Sequence, residues 1–310
     1  MKPLLRRLAK RFVESENLVV PAIVRQMLFV RQCRRDAKLT DKVATDLGLR
    51  PLKVSKSGVL PTPPTTLFIL AGGASVNELS SKNFNEIRKG VSVGINFWPI
   101  HDFVPDILTT ETDNETPASS FLNERLSSHT VLRRPPTILI LRTSWPPKRN
   151  ALPTLPREYE GRTWVYGRAN LITRKEANLQ GDLSRVLQLL KRKRLPATIL
   201  PDNGSSVVRL TFWGIAQQFK RIVWVGVDQD SGHYFWTEPP VPARYRQASK
   251  IAPRIAGSPH STSSSDHRPF SNDVFLRALA KSAEALTGSR IYVGSKRSSL
   301  SDSLPVFEWQ

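Results

Sequence analysis

The sequence predicts an α/β protein with a mostly parallel sheet that is covered by helices on both faces. Several short runs of residues are continuously apolar, which is typical of strands buried on both sides. Stretches with helical spacing of apolar residues alternate with these runs along the chain. Strands that alternate with helices in this way form parallel sheets. The chain of 310 residues is long enough to bury a sizeable core around such a sheet.

Six short segments are predicted to be strands of this sheet. They lie at residues 66–70, 91–95, 106–109, 137–141, 221–227 and 291–293. Helices are predicted at residues 21–35 and 76–89, after Asn203, and from Phe275 to Leu286. In the helix after Asn203, apolar residues recur three or four positions apart, and Ser205 or Ser206 stands at its start as a natural N-cap.

Proline and basic residues divide the chain into an N-terminal extension and one domain. Leu4, Leu8 and Phe12 recur at helical spacing among basic residues, which predicts a basic amphipathic helix. Four prolines among serines and threonines at residues 51–64 predict a linker. We therefore predict a basic helical extension and linker at residues 1–60 and a domain at residues 65–300.

The chain is strongly basic, since 46 Lys and Arg against 26 Asp and Glu give a net charge of +20. Such a charge favours an anionic partner: nucleic acid, an anionic membrane or an anionic substrate. The single cysteine, Cys33, excludes a disulfide scaffold and a cysteine zinc site. No histidine pair has the spacing of a zinc site, and no run reaches the roughly 18 apolar residues of a membrane span.

Glycines and polar residues cluster where the predicted strands end. Ligands of open parallel sheets bind beyond the carboxyl ends of the strands, so these residues are candidates for one binding crevice. The turn with Gly72, Gly73 and Ser75 follows the first strand, and backbone amides in such a turn suit an anion. The candidates near the ends of later strands are Asn96, Thr110, Ser205, Ser206 and Asp228.

Each of these polar candidates also has a purely structural interpretation. Asn96 could read a base or a ribose, or it could simply end a strand. Ser205 and Ser206 could bind a nucleotide phosphate without a metal, or cap their helix. Asp228 could be a metal ligand, a ribose binder or an anchor of its loop.

The segment at residues 228–268 is long and has little apolar periodicity, and such segments are typically functional or disordered. Tyr234 could donate a hydrogen bond to a departing phosphate, or pack with its aromatic neighbours. His267 could act as a general base, because the ordinary pKa of histidine is near neutrality, or it could be an exposed loop residue.

Four of these motifs occur in an order that resembles a known family. They are Ala71-Gly72-Gly73-Ala74-Ser75, Gly94-Ile95-Asn96, Asn203-Gly204-Ser205-Ser206 and Gly226-Val227-Asp228. Over residues 66–300 the chain resembles the bacterial sialyltransferases of glycosyltransferase family 42 and the related domain-of-unknown-function 115 proteins. The resemblance implies a single Rossmann-like domain, a variant of the glycosyltransferase A type, with a lid at about residues 228–268.

The resemblance also implies how a donor would be bound. The turn at residues 71–75 and Asn96 would contact the CMP of a CMP-sialic acid donor, without a metal or another cofactor. Ser205 and Ser206 would hold the cytidine or carboxylate side of that donor.

In the same family a tyrosine stabilises the leaving phosphate and a histidine at the end of the lid is catalytic. Tyr234 and His267 occupy these positions. Ala74 stands where the family has proline, the family's asparagine is missing from the first turn, and one of the two expected tyrosines is present. A related ulosonic acid or a different nucleotide sugar therefore remains open as the donor.

The predicted function is an inverting, metal-independent glycosyltransferase that transfers sialic acid or a related ulosonic acid from a CMP-sugar to a glycan, in cell-surface polysaccharide or lipopolysaccharide synthesis. The first 40 residues hold ten basic and three acidic groups, a net +7 (10 − 3). Such a segment suits an anionic membrane, so we expect a cytoplasmic enzyme that is peripheral at the inner face of the membrane and uses a lipid-linked glycan acceptor. No nucleic acid partner is expected. The alternatives are a nucleic-acid-binding protein and an inactive member of the same fold.

Overall fold

The structure is a computed structural model of the chain, and it describes residues 21–52, 65–111, 138–142, 159, 161–229, 233–251 and 270–310. Within these ranges the chain forms nine strands and six α-helices. The strands are β1 (Arg50–Pro51), β2 (Thr66–Leu70), β3 (Val91–Ile95), β4 (Ile107–Glu111), β5 (Ile138–Arg142), β6 (Thr163–Asn170), β7 (Ile199–Asp202), β8 (Arg221–Val225) and β9 (Arg290–Val293). The helices are α1 (Ala22–Asp46), α2 (Ser81–Ile87), α3 (Glu176–Lys191), α4 (Ser206–Ala216), α5 (Arg246–Ile251) and α6 (Asn272–Thr287).

The described strands pair in parallel, in the order β1-β6-β5-β4-β3-β2-β8-β9, and β7 pairs with the second half of β6. This confirms the predicted α/β class with a parallel sheet. From β2 the chain steps outward through β3, β4, β5 and β6 on one side, and it returns to place β8 and β9 on the other side. The strand order therefore reverses between β2 and β8. Ligands of open α/β sheets bind beyond the carboxyl ends of the strands at such a point.

Side chains of β2 alternate between two apolar cores, one on each face of the sheet. Leu67 and Ile69 belong to the first core, and Phe68 and Leu70 belong to the second. The first core also holds residues of α1, α3, α4 and α6, among them Phe29, Leu183, Phe212 and Phe275. The second core holds Ile87, Phe235, Tyr245 and Phe307. Burial on both faces explains why these strands have continuously apolar sequences.

The prediction of one continuous helix at residues 76–89 is wrong in its extent. The chain forms a 3₁₀ helix at Ala74–Glu78, becomes extended, and then forms α2. Ser80 Oγ accepts a hydrogen bond from the Asn83 N–H, and Asn83 Oδ1 accepts one from the Ser80 N–H. This reciprocal capping starts a new helix at Ser81, so a local polar signal outweighs the apolar spacing.

The N-terminal helix packs on the sheet instead of forming a separate extension. It runs to Asp46, whereas the sequence predicts an end at residue 35. Phe29 and Cys33 are buried in the first core, and β1 pairs with β6. Residues 22–52 therefore pack with the domain that is predicted to begin at residue 65. Leu4, Leu8, Phe12 and most of the predicted linker lie outside the described residues.

The C-terminal residues also belong to this domain, which is predicted to end at residue 300. Val306 forms a parallel bridge with Val293. Phe307 packs edge-on against Phe68, at 5.5 Å between ring centroids. Among the helices of the described ranges, none has the length and hydropathy of a membrane span.

The predicted lid is described at residues 228–229 and 233–251. This part contains a short 3₁₀ helix, Ala243–Tyr245, followed by α5. Phe235, Trp236 and Tyr245 are buried in the second core. The described part of the segment is therefore packed against the sheet in this structure.

Candidate functional site

The loops that follow β2 and β8 are joined at the point where the strand order reverses. Gly73 N–H donates to Gly226 O at 2.8 Å. Ser75 donates its backbone N–H to Asp228 Oδ2 at 2.8 Å and its hydroxyl to Asp228 Oδ1 at 2.5 Å. Asp228 is 5% exposed. Both of its oxygens hold the glycine turn, so the geometry supports the anchor interpretation of this aspartate. In the described ranges no three His, Cys, Asp or Glu side chains gather as metal ligands do.

The two glycines of the turn allow close contact with neighbouring segments. A Cβ on Gly73 would lie 2.5 Å from both Asp228 Oδ2 and Gly226 O. A Cβ on Gly72 would lie 2.8 Å from Tyr234 Cδ1. The amides of Gly73 and Ser75 donate within the fold, so the turn is first of all a tight junction between the two loops.

An aromatic segment at residues 234–236 covers this junction. Phe235 N–H donates to Gly72 O at 2.9 Å, and Tyr234 bridges Gly73. The ring of Tyr234 stacks on Trp236, with 4.3 Å between centroids. The stacking agrees with the packing alternative for this tyrosine. Burial raises the pKa of Tyr234 to about 12, so its phenol stays protonated and is a hydrogen-bond donor at neutral pH.

Asn96 joins the same group through its neighbour Phe97, whose ring lies 6.0 Å from that of Trp236. The backbone N–H of Asn96 donates to Thr109 O, and the φ of Asn96, 50°, is in the left-handed region. The buried Asn96 Oδ1 has no hydrogen-bond partner among the described residues. Left-handed backbone at a residue other than glycine costs about 1–3 kcal/mol, and it clusters at functional sites. Thr110, on β4, is buried.

Two further residues at this edge are not indicated by the sequence. Gln229 follows Asp228 directly and has a φ of 58°. Asn272, the first residue of α6, donates its Nδ2 to Gln229 Oε1 at 3.2 Å. Asn272 is 1% exposed, and its Oδ1 has no partner in the described part of the chain. A contact between residues 43 positions apart leaves no sequence motif.

The buried nitrogen His233 Nδ1 has no partner either, within the same described residues. It lies directly before Tyr234 at the start of the aromatic segment. Together with Asn96 Oδ1, Asn272 Oδ1 and Trp236 Nε1 it makes four buried polar atoms near these loops that no described group satisfies. Each such atom costs about 1–3 kcal/mol unless a partner arrives. This arrangement is typical of a site that is completed by a ligand or by water.

Ser205 and Ser206 begin α4 in a second polar cluster. Ser205 N–H donates to Asp202 Oδ1 at 3.1 Å. The guanidinium of Arg209 donates to Asp202 Oδ2 at 2.9 Å and to Ser206 Oγ at 2.7 Å. Arg209 Nε also donates to Tyr166 OH, so this cluster connects α4 to β6 and β7.

The centre of the second cluster is an ion pair inside the protein. Arg209 and Asp202 are 1% and 0% exposed. Burial by itself raises the pKa of Asp202, but the positive charges of Arg209 and Arg168 outweigh it and hold the pKa below its usual range. The carboxylate is therefore charged at neutral pH and holds the start of α4 in place.

Helix α4 runs from this second cluster back along the sheet to the amino-terminal ends of β2 and β8. Thr211 Oγ1 accepts a hydrogen bond from Trp224 Nε1 of β8 at 2.9 Å. Gly214 lies against Leu67 of β2 and Ile222 of β8.

The predicted site residues fall into two groups. The structure brings together Gly72, Gly73, Ser75, Asn96, Asp228 and Tyr234, and it places Ser205 and Ser206 in the second cluster. His267 lies outside the described residues.

His101 has a structural role that the sequence does not indicate. Its ring is enclosed by the rings of Phe84, Trp98, Phe235 and Tyr245. Its Nδ1 accepts a hydrogen bond from Phe103 N–H at 2.9 Å. Burial, assisted by the positive charge of Arg244, lowers the pKa of His101 from 6.5 to about 4. The imidazole is therefore neutral at neutral pH, which suits an aromatic core.

We expect His101 to make the fold sensitive to acid. Between pH 6.5 and 4 the unfolded chain binds a proton at this residue and the folded chain does not, so stability falls as the pH falls. The total contribution is about 3 kcal/mol, from 1.36 kcal/mol for each pKa unit. Urea unfolding between pH 7 and 4 measures it. In His101→Phe the free energy of unfolding should depend less steeply on pH over this range. An equal dependence in the two proteins would contradict a lowered pKa for His101.

The fold and these loops define an α/β protein with a parallel sheet, consistent with a Rossmann-like fold, and with a group of buried polar atoms near its switch point. A comparison with models of known protein families and another with curated proteins found no match for this chain. The family resemblance therefore stays a prediction from the quoted motifs.

Proposed function

We propose that this chain is an inverting, metal-independent glycosyltransferase. It transfers sialic acid or a related ulosonic acid from a CMP-sugar to a glycan. The observation that carries the proposal is the junction of the glycine turn with the Asp228 loop, at the reversal of strand order, beside unsatisfied polar atoms. In this proposal the fold is the glycosyltransferase A-like variant and the segment at residues 228–268 closes over the donor as a lid.

The unsatisfied atoms call for both kinds of hydrogen-bond partner, because Trp236 Nε1–H needs an acceptor, such as a phosphate oxygen, and two asparagine oxygens need donors. Asn96 Oδ1 and Asn272 Oδ1 are acceptors, so their partners must present an N–H or an O–H group. Cytosine has an exocyclic amino group, and ribose has two hydroxyls. Ser75 and Asp228 hold the turn in position for this contact.

The transfer step uses a donor phenol and a base. The acceptor hydroxyl attacks the anomeric carbon while His267 takes its proton, and the bond from that carbon to the CMP phosphate oxygen breaks. CMP leaves with the electron pair of this bond. Tyr234, whose phenol is protonated at neutral pH, donates a hydrogen bond to the leaving phosphate. A positioned base typically contributes 10²–10⁴-fold to the rate.

The nucleotide preference tests this proposal. We expect CMP at about 100 times its Kd to stabilise the protein by about 2.7 kcal/mol, and UMP and GMP to stabilise it less at the same concentration. Asn96→Gly keeps the left-handed backbone and removes the carboxamide. It should weaken CMP binding about tenfold, the value of one or two hydrogen bonds. Thermal shift measures the stabilisation by each nucleotide, and calorimetry measures the CMP affinity of the two proteins.

Gly181→Ala is a matched control, because it changes an exposed helical residue. It should bind CMP like the natural chain. Preferential stabilisation by UMP or GMP, or equal CMP affinity of Asn96→Gly and the natural chain, would overturn the donor class. CMP binding without hydrolysis or transfer of the CMP-sugar would support the inactive alternative.

A further inference from the structure

Three exposed apolar side chains stand together at the start of α1. Ile23, Val24 and Met27 are 62%, 39% and 65% exposed, and they are the large apolar residues that the described part of the chain leaves most open to solvent. All three lie in the first two turns of one helix. Clustered exposed apolar residues mark interaction sites more often than scattered ones do.

The helix cannot roll to hide these residues. Its opposite face is buried in the first core through Phe29, Cys33 and Ala37. Arg25 donates two hydrogen bonds to Asp182 of α3, at 2.8 and 3.0 Å, and this pair is largely buried. The first turns of α1 are therefore fixed with Ile23, Val24 and Met27 facing outward.

The same outward face becomes basic in the following turns. Residues of an α-helix advance by about 100° each, so Arg31, Arg34 and Lys38 project on the same side as Met27. These three residues and Arg35 are exposed. Arg35 pairs with Asp36 at 2.7 Å, and the other three cations have no described salt bridge in this part of the chain. The face thus combines an apolar end with a positively charged stretch.

We propose that this face of α1 docks on the surface of an anionic phospholipid membrane. Ile23, Val24 and Met27 insert at the level of the headgroups, and Arg31, Arg34 and Lys38 lie over the phosphates. A helix of this composition lies in the plane of the interface. Anionic lipid attracts the basic residues. This surface includes none of the residues of the proposed donor site. It belongs to the folded domain, so the proposed membrane contact does not require a separate N-terminal extension.

The composition of the face favours a membrane over the other anionic or apolar partners. A nucleic acid would use the cations but has no need of the apolar cluster. A second copy of the chain would cover the apolar residues, but a two-fold contact centred on them would leave the cations of both copies without a counter-charge. A membrane surface satisfies the apolar and the charged parts at once.

Sedimentation of the full chain with vesicles tests the proposal. We expect binding to phosphatidylcholine vesicles that contain phosphatidylglycerol, little binding to phosphatidylcholine alone, and weaker binding at high salt. Ile23→Ser with Met27→Ser, and separately Arg31→Glu with Arg34→Glu, should each weaken binding at least about tenfold. All four positions are exposed, so the melting temperature and the CMP response should not change.

The control is Arg192→Glu with Arg194→Glu, which removes the same charge from exposed residues after α3. It should bind vesicles like the natural chain. The proposal would be overturned if the control loses as much vesicle binding as the α1 variants do, or if the α1 variants lose none. A dimer that Ile23→Ser with Met27→Ser abolishes, without vesicle binding by the natural chain, would replace the membrane by a second copy. Preferential binding of an RNA duplex through the same arginines would replace it by nucleic acid.

Discussion

Arg209→Met is expected to destabilise the protein by about 3–5 kcal/mol, because it leaves the Asp202 carboxylate inside the protein without its main partner. The two side chains are almost completely buried, and Arg209 also serves Ser206 and Tyr166. Arg168, which still reaches Asp202 at 3.1 Å, is partly exposed and replaces only part of this contact. Urea unfolding followed by tryptophan fluorescence measures the change.

The double variant Arg209→Met with Asp202→Leu is the control for this prediction. Replacing a buried ion pair by apolar residues of similar size is often neutral or stabilising. The double variant should therefore regain most of the stability that Arg209→Met loses. If the single and the double variant lose the same free energy of unfolding, the destabilisation comes from lost packing and not from the unpaired charge. A loss below about 1 kcal/mol in the single variant would contradict the described ion pair.

Gly73→Ala is expected to disrupt the junction between the glycine turn and the Asp228 loop. The added methyl group would lie 2.5 Å from a backbone oxygen and from the Asp228 carboxylate, so at least one loop must move. Overpacking of this kind typically costs about 1–3 kcal/mol. The proposed donor site depends on the same junction, so CMP should no longer raise the melting temperature.

Gly181→Ala provides the comparison for this substitution. Its Cβ would meet only the flexible end of Arg185, at 3.4 Å, and alanine favours the helix by up to about 1 kcal/mol. This variant should be as stable as the natural chain or slightly more stable. Unchanged CMP binding in Gly73→Ala, measured by calorimetry, would separate the donor site from the junction and so count against its proposed place.

The strands of the sheet were predictable because burial on two faces leaves a strong mark on composition. Thr66–Leu70 and Arg221–Val225 are apolar at every position after the first for that reason. The glycine turn and Asp228 were recognisable for a related reason, since they follow such strands. The start of α2 was not, because the capping pair of Ser80 and Asn83 interrupts an otherwise helical pattern.

Contacts between distant parts of the chain decided most of the site. Asp228 and Ser75 are 153 positions apart, and only the strand order places them together. The same order puts Asn272 beside Gln229, and it places Ser205 and Ser206 in a separate cluster with Arg209. No local pattern encodes these pairings, because each depends on which strands become neighbours.

By itself the sequence determined the α/β class, the parallel strands and the polar residues at strand ends, because these follow from local composition and spacing. Only the tertiary structure decided that α1 is part of the domain, that His101 is a neutral core residue and that Asp228 holds a turn. The physical reason is that burial and hydrogen-bond partners belong to pairs of segments. A sequence shows each segment, and the fold alone shows which segments meet.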